Sequence, residues 1–245
     1  MIINLQGIQG SGKGTQAKHL IDDFGLIYIE SGGRFRRDLK ENREVGLLAK
    51  EYMAKGELVP DYVLFKGLET WIEESDPTGN SAGLVLDGIP RTIDQAANFA
   101  DYCVNKGMLV PIRYVLVLNC SPDTARKRIY GRLYDEEGNL YNSYFDDRIV
   151  VLEKNAVNGY DISLKATLDG KVLTKRPDDA DVNTVERRIS IYLDETIPAI
   201  DYMRGEKVKG RMWNHGPLPV VIDIDGEAST DKVREQILHS RLYRM

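Results

Sequence analysis

The sequence is poor in cysteine, has no surplus of positive charge and contains no long apolar run. Its two cysteines, Cys103 and Cys120, lie in apolar stretches and are expected to be buried, reduced thiols, for which the cytoplasm is the default location. No run of about 18 apolar residues occurs, which excludes a membrane-spanning helix of the usual kind. The net charge of −5 argues against a general nucleic-acid binder, which would carry a basic surplus. Neither nucleic acid nor a membrane is therefore expected as a partner.

The length and the composition are those of a globular protein. The chain runs from Met1 almost directly into a glycine loop, without the basic region and apolar stretch of a secretory signal, so no signal peptide is predicted. With 42% hydrophobic and 29% charged residues, the composition is ordinary. The 245 residues suffice for one large α/β domain with room for an inserted lobe.

Apolar strands alternate with helical patterns along most of the chain. Strands are predicted at residues 2–6, 26–29, 83–86, 113–118 and 220–224. Helices are predicted at residues 13–24, 33–41, 46–55, 61–74, 123–130, 181–203 and 231–240, and from Thr92 through Gly107. This alternation predicts a three-layer α/β/α fold with a five-stranded parallel sheet.

Residues 132–179 interrupt that rhythm. Gly, Asn, Asp and Tyr are frequent there, and short β-prone runs are separated by turns, so we expect a β-rich inserted lobe. No cysteine follows Cys120, so a structural zinc site is not expected. Five aromatic residues could form a small core for this lobe or could be surface aromatics on a loose loop; they are Tyr134, Tyr141, Tyr144, Phe145 and Tyr160.

A glycine-rich loop lies between the first predicted strand and the first predicted helix. It reads Gly7-Ile8-Gln9-Gly10-Ser11-Gly12-Lys13-Gly14-Thr15. Glycines let successive backbone N–H groups turn toward phosphate oxygens, the helix N-terminus adds positive potential, and Lys13 adds a full charge. The strand–loop–helix context therefore predicts a nucleotide phosphate site.

The loop departs from the strict pattern, which has Ser or Thr directly after the lysine, because Gly14 stands between Lys13 and Thr15. In this form it resembles the loop of the adenylate kinases, a family of nucleoside-monophosphate kinases. Four further stretches resemble that family in order and at suitable spacing. They are residues 31–36 (T-G-D-x-L-R in the family), 56–61, 87–95 (D-G-F-P-R-x-x-x-Q) and 128–132 (R-I-x-G-R). Residues 174–179, Arg188 and the Asp225-Gly226 pair also match.

The resemblance implies reversible phosphoryl transfer from Mg·ATP to AMP, giving ADP. It also implies a monomer, which is the usual state in this family. The implied ATP site comprises Gly10, Ser11, Gly12, Lys13, Gly14, Thr15, Arg128, Arg132, Leu140, Tyr141 and Ala228. The implied AMP site comprises Ser31, Arg36, Glu57, Leu58, Val59, Gly88, Arg91, Gln95, Arg176 and Arg188. The implied catalytic residues are Lys13, Arg91, Arg132, Arg176 and Arg188, and Asp87 would position the Mg²⁺ through water. Arginine suits such a site, since its fork binds phosphate bidentately and keeps its charge.

The resemblance also implies a division of the chain into a core and two moving parts. The core would comprise residues 1–29, 61–131 and 180–245. The monophosphate-binding part would be residues 30–60, and the lid would be residues 132–179. The Asp178-Asp179 pair would either steady lid arginines or begin the next helix.

Several positions depart from the family pattern. Gly33 replaces an aspartate, Ile89 an aromatic residue and Glu57 a basic or polar residue, while Glu186 stands where arginine is common.

Three alternatives to an adenylate kinase remain. Ser31 and Gln95 favour AMP over UMP or CMP, whose kinases carry other residues at these places. A P-loop GTPase or ATPase switch is disfavoured, because no N-K-x-D signature occurs. The departures at positions 33, 57 and 89 motivate the third alternative, a non-catalytic nucleotide sensor.

Overall fold

The computed structural model describes residues 1–105 and 112–243, which form two sheets and ten α-helices. The strands of the described residues are β1 (Ile2–Gln6), β2 (Ile27–Glu30), β3 (Leu84–Asp87), β4 (Tyr114–Asn119), β5 (Arg132–Tyr134), β6 (Leu140–Asn142), β7 (Val150–Val157), β8 (Tyr160–Leu168), β9 (Lys171–Thr174) and β10 (Val220–Asp225). Their helices are α1 (Lys13–Phe24), α2 (Ser31–Lys40), α3 (Glu44–Ala54), α4 (Asp61–Ser75), α5 (Ile93–Asn105), α6 (Pro122–Tyr130), α7 (Pro177–Ala180), α8 (Val182–Ile191), α9 (Ile197–Met203) and α10 (Thr230–Leu238).

The central sheet has five parallel strands in the order β10-β4-β1-β3-β2, which confirms the predicted fold class. All five strands end at the same edge, as parallel strands must. The residues at that edge are Gln6, Glu30, Asp87, Asn119 and Asp225. The crevice beside the carboxyl ends of such a sheet is the usual place for a ligand.

Helices cover both faces of this sheet because alternate residues of each strand point to opposite sides. On one face, Leu86 and Val115 pack in a core with Phe99 of α5 and Ile200 of α9. On the other face, Ile3, Leu5, Val85 and Leu116 pack with Leu20 of α1 and Val233 of α10. The strands are therefore largely apolar, and most of their polar residues lie at the carboxyl ends, with Asn4 of β1 and Asp223 of β10 as the exceptions.

The second sheet is built from residues 132–174 and is antiparallel, in the order β6-β5-β9-β8-β7. Of the two alternatives for the aromatic residues of this segment, the aromatic core is wrong. The buried residues that pack together between the strands are Leu133, Ile149, Ala166, Leu168 and Leu173, with Tyr141 at the margin.

The other aromatic residues of this segment lie elsewhere because their polar ends find partners outside the small core. Tyr144 and Tyr160 pack toward α6 and α8, and the Tyr144 hydroxyl accepts from the Asp161 amide at 2.6 Å. Phe145 is 61% exposed. An aliphatic core is therefore sufficient for the second sheet.

The predicted helix over residues 181–203 is interrupted by a π-helical turn, Tyr192–Thr196, between α8 and α9. Pro198 lies in the first turn of α9. Proline has no N–H and its ring collides with the carbonyl four residues earlier, here that of Asp194 within the turn. The widened turn relieves that collision.

The remaining elements fall close to their predicted places. Helix α2 begins at Ser31 rather than Gly33, and the Ser121 hydroxyl caps α6 by accepting from the Thr124 amide at 3.2 Å. Gly107, through which the fifth helix was predicted to lead onward, lies outside the described residues. None of the helices described is both long and apolar enough to cross a membrane.

Candidate active site

The loop of residues 7–15 joins β1 to α1 at the carboxyl edge of the central sheet. Gly10 and Gly12 have φ of 89° and 99°, values that favour glycine. A Cβ at Gly7 would lie 2.5 Å from the Ser11 Oγ and 2.7 Å from the Leu118 carbonyl, so any side chain there would collide. The Ser11 hydroxyl is buried and has no hydrogen-bond partner among the described residues. The loop thus has the tight glycine turn and the free polar groups that a phosphate cradle needs.

Lys13 folds back over this loop. Its Nζ donates to the carbonyls of Gly7 at 2.7 Å and Ile8 at 3.2 Å, and lies 3.9 Å from the Asp87 carboxylate. Burial lowers the pKa of Lys13, and the charge of Asp87 opposes that shift. Burial raises the pKa of Asp87, which Lys13 opposes and Glu30 reinforces. The Tyr28 hydroxyl donates to Asp87 at 2.9 Å and fixes the carboxylate.

A second group of predicted residues surrounds Gly88, directly after β3. The Arg91 Nε donates to the Gly88 carbonyl at 3.0 Å, and the Ser31 hydroxyl lies 3.4 Å from the same oxygen. The Gln95 Oε1 accepts from the Arg91 amide at 2.8 Å, while its Nε2 donates to Asp61 at 3.0 Å. Burial lowers the pKa of Arg91, opposed by the charge of Asp87. These bonds hold Arg91 and Gln95 at the cleft.

The two aspartates after the second sheet hold arginines and also begin α7. Asp179, which is 1% exposed, accepts from Arg132 at 3.0 and 2.8 Å in a bidentate pair. Asp178 accepts from Arg188 at 2.8 Å. Both carboxylates also lie in the first turn of α7. The pair therefore has both of the roles predicted as alternatives, since it holds arginines and begins a helix. The Arg176 guanidinium lies over the Tyr134 ring, 4.1 Å from its centroid.

Lys175 was not predicted to have a role, yet it ties the two ends of the second sheet to α6. Its Nζ donates to the carbonyls of Ile129 at 2.9 Å and Arg132 at 2.7 Å. Burial lowers the pKa of Lys175 to about 8. The lysine thus bonds to one carbonyl in the last turn of α6, where carbonyls lack helical partners, and to one carbonyl at the start of β5.

A further contact joins the glycine loop to the C-terminal segment. The Arg128 Nη1 donates to the Gly226 carbonyl at 2.7 Å and lies 3.4 Å from the Gly10 carbonyl. Ala228 lies beside this contact and lines the same cleft. The arginine therefore connects the phosphate loop with the segment predicted to contact the donor base.

Arg126 and Glu186 form a pair that the sequence did not reveal. The Arg126 guanidinium donates to the Glu186 carboxylate at 2.7 and 2.6 Å, and these hydrogen bonds lower the pKa of Glu186. The acid at position 186, where arginine is common in the family, therefore has a cationic partner on α6. A basic residue on the adjoining helix is the sequence feature that could have indicated it.

The glycine loop, the Gly88 group and the arginines at positions 128, 132, 176 and 188 line one cleft of about 1130 Å³. All the predicted ATP- and AMP-site residues line it except Tyr141, whose hydroxyl donates to Asp135 at 3.1 Å. The sequence prediction omitted Tyr134, Asn142 and Phe145, which also line the cleft from the second sheet.

The cleft also fits a magnesium ion that arrives with a nucleotide. Asp87 offers a buried carboxylate, and Ser11 and Thr15 offer hydroxyls, all of them hard oxygen donors of the kind Mg²⁺ prefers. Within residues 1–105 and 112–243, no cluster of three His, Cys, Asp or Glu side chains is arranged to hold a metal by itself. Phosphate oxygens and water would therefore complete the coordination.

Comparison with known proteins agrees with this geometry. Residues 5–208 match the family model described as adenylate kinase. The adenylate kinase of Desulfotalea psychrophila is 35% identical over 236 residues, 95% of each chain. That of Methanosarcina barkeri is 36% identical over 239 residues, 97% of this chain and 96% of the relative. That of Listeria monocytogenes is 31% identical over 215 residues, 87% of this chain and 90% of the relative. This chain therefore belongs to the adenylate kinase family and is a phosphotransferase of the nucleoside-monophosphate kinase class.

Proposed function

We propose that the chain transfers the γ-phosphoryl group of Mg·ATP to AMP, reversibly, giving two ADP. One observation carries the proposal: a single cleft is lined by a phosphate loop, by the Gly88 group and by the six arginines Arg36, Arg91, Arg128, Arg132, Arg176 and Arg188. A kinase that joins two nucleotides needs this arrangement, because both phosphate groups must meet in line.

In this proposal the donor lies at the loop end. Backbone N–H groups of residues 10–15 and the Lys13 ammonium bind its phosphates, and Lys13 exchanges its bonds to loop carbonyls for phosphate oxygens. The donor base is surrounded by Arg128, by Ala228 and by Leu140 of the second sheet. Bound Mg²⁺ would neutralise phosphate charge, with Asp87 holding its water ligands.

The acceptor lies at the Gly88 end. Arg36 and Arg91 bind its phosphate, and Ser31 and Gln95 lie where its sugar and base would be recognised. The residues that close over the base are Glu57, Leu58 and Val59. The hydroxyl of Ser31 and the amide of Gln95 support AMP as the preferred acceptor.

The reaction needs no general base, because a monophosphate oxygen is already anionic at neutral pH. Catalysis then consists of positioning and of stabilising charge on the transferred group. Arg132 and Arg176 supply that charge from residues 132–179, and Arg188, Lys13 and Arg91 supply it from the rest of the chain.

We further propose that residues 30–60 and 132–179 close over the substrates while residues 1–29, 61–131 and 180–245 form the core. Closure excludes water, which would otherwise compete for the γ-phosphoryl group. Reopening would then limit turnover. Stopped-flow mixing should show a burst of product before the steady state, and a linear trace from time zero would contradict slow reopening.

A cytoplasmic monomer is part of the proposal. Cys103 is buried as predicted, whereas Cys120 is only partly buried. Burial raises the pKa of Cys103 to about 12 and that of Cys120 to about 11, which supports unreactive, reduced thiols. Light scattering after gel filtration should give the monomer mass of 27.7 kDa. Twice that mass would contradict the monomer.

The decisive experiment is a coupled assay of ADP formation from Mg·ATP with AMP, CMP, UMP and GMP offered separately. A rate with AMP far above the others is expected. Preference for a pyrimidine would keep the reaction and overturn the acceptor assignment. An absence of ADP formation with all four monophosphates would favour a nucleotide sensor.

A further inference from the structure

The acid at the start of α2 is not where the family motif has it. In T-G-D-x-L-R the acid is the third residue, and this chain has Gly33 there. Glu30, the residue before Ser31, fills the vacated space. A Cβ at Gly33 would overlap the Glu30 Oε2, and one at Gly32 would lie 2.9 Å from its Oε1. The carboxylate thus lies over two successive glycines, and a side chain at position 33 would force it to move.

Glu30 uses that position to hold one edge of Arg36. The Arg36 Nη2 lies 3.3 Å from the Glu30 carboxylate, and its Nη1 lies 3.8 Å from Asp178 beyond the second sheet. The Arg36 and Glu30 side chains are 33% and 39% exposed, so the pair adds little to stability. Its effect is on the direction of the guanidinium, which would otherwise be free to turn.

The same carboxylate is close to the reaction centre. Glu30 ends β2 directly beside Asp87 at the end of β3, in register across the parallel pair. Its charge raises the pKa of Asp87, after the larger effect of burial. Glu30 therefore lies between the magnesium-positioning acid and the acceptor arginine without being assigned to either site.

We propose that Glu30 is a positioning residue for Arg36 and that Gly33 is present to admit its side chain. By fixing the Nη2 edge, Glu30 leaves the Nη1 edge for the acceptor phosphate, which takes the place of Asp178. This inference rests on the proposed function, since it names the residue that prepares the acceptor arginine.

The first test is Glu30→Gln, which keeps the size and removes the charge. The KM for AMP should rise about five- to tenfold, while the KM for ATP stays within twofold and kcat within threefold. A purely structural role would change both KM values alike or lower only the melting temperature. An AMP KM within twofold of the wild type would overturn the proposal.

The second test moves the acid back to position 33. Gly33→Asp alone should raise the AMP KM and lower the melting temperature, because two carboxylates compete for one space. Glu30→Ser alone should resemble Glu30→Gln. The double variant Glu30→Ser with Gly33→Asp should return the AMP KM to within threefold of the wild type. If the increases in AMP KM of the two single variants simply combine in the double variant, the proposal that Glu30 stands in for an acid at position 33 is overturned.

The wild-type assay separates this inference from the proposed function. If another monophosphate is the acceptor, its KM replaces that of AMP in both tests. If no monophosphate reacts but calorimetry shows that AMP binds, the proposed function fails, and the affinities of wild type and Glu30→Gln for AMP decide the role of Glu30. AMP that neither reacts nor binds would overturn both.

Discussion

The two sheets of this protein place their functional groups differently. The central parallel sheet is buried between helices and has most of its polar residues where its strands end, as at Glu30 and Asp87. The second sheet has a small aliphatic core and leaves much of β7 exposed, including Val150 and Leu152. Its arginines, Arg132 and Arg176, lie where the chain joins and leaves it. The second sheet thus contributes to the cleft from its two ends and, between them, from Leu140, Asn142 and Phe145.

The largest expected effect is that of an arginine fixed by the central sheet. Arg91→Ala should lower kcat/KM for the acceptor about 10³-fold or more, in line with the value of arginines that stabilise phosphoryl transfer. Steady-state kinetics with varied AMP would measure it. Arg148→Ala is the matched control, because Arg148 lies in the exposed turn between β6 and β7 and its ion pair among the described residues is with Asp146. A loss below tenfold at Arg91 would refute its role.

Two identical truncations compare the cores of the sheets directly. Leu116 and Leu173 are each 0% exposed, the first in the central sheet and the second in the second sheet. Leu116→Ala should lower the free energy of unfolding by about 2–5 kcal/mol. Leu173→Ala should instead speed hydrogen exchange in residues 150–174, because a small sheet can open on its own. If both variants lower the melting temperature equally and hydrogen exchange does not speed up selectively in residues 150–174, the two sheets unfold as one cooperative unit.

An intermediate effect is expected where the lid meets the core. Asp179→Asn should lower kcat about 10- to 100-fold, since Arg132 would lose the carboxylate that aims it, and small misplacements cost such factors. The exposed Asp169→Asn in a lid turn is the control and should leave kcat unchanged. If Asp179→Asn kept kcat within threefold, the bidentate pair would have only a structural role.

The smallest effect concerns the pH dependence of Lys175. Its pKa falls from 10.5 in the unfolded chain to about 8 in the folded protein. Between these values the unfolded state binds more protons, so stability should rise with pH. Urea unfolding at pH 8 and pH 9 should show the wild type gaining about 1 kcal/mol relative to Lys175→Met. If the free energies of unfolding of the wild type and Lys175→Met change equally between pH 8 and pH 9, the lowered pKa of Lys175 is contradicted.

The sequence predicted those parts of the structure that depend on local chemistry. The glycine loop and its Lys13 could be recognised because turn geometry and helix start are encoded within a few residues. The arginines could be assigned together because their spacing matches one family. The five parallel strands followed from alternating apolar and helical segments.

Contacts between distant segments were harder to predict. Arg126 and Glu186 pair across 60 positions, and nothing local to either indicates the other. In the small lid sheet, alternation alone does not tell which face is buried, so its aliphatic core was missed. Two features did have local signs: Pro198 for the π-helical turn, and the glycine pair after Glu30 for the place of its carboxylate.

One pairing in the lid has a consequence for how the protein could be rebuilt. Tyr134 of β5 lies opposite Thr174 of β9 in an antiparallel pair, so the two are neighbours roughly 5 Å apart. The chain therefore enters and leaves the second sheet at nearly the same point. Residues 135–173 also pack against α6 and α8 through Tyr144, Tyr160 and Ile162. A segment of another length grafted at the Tyr134–Thr174 pair would have to keep that apolar contact, whereas the tips of the sheet could change in length without disturbing it.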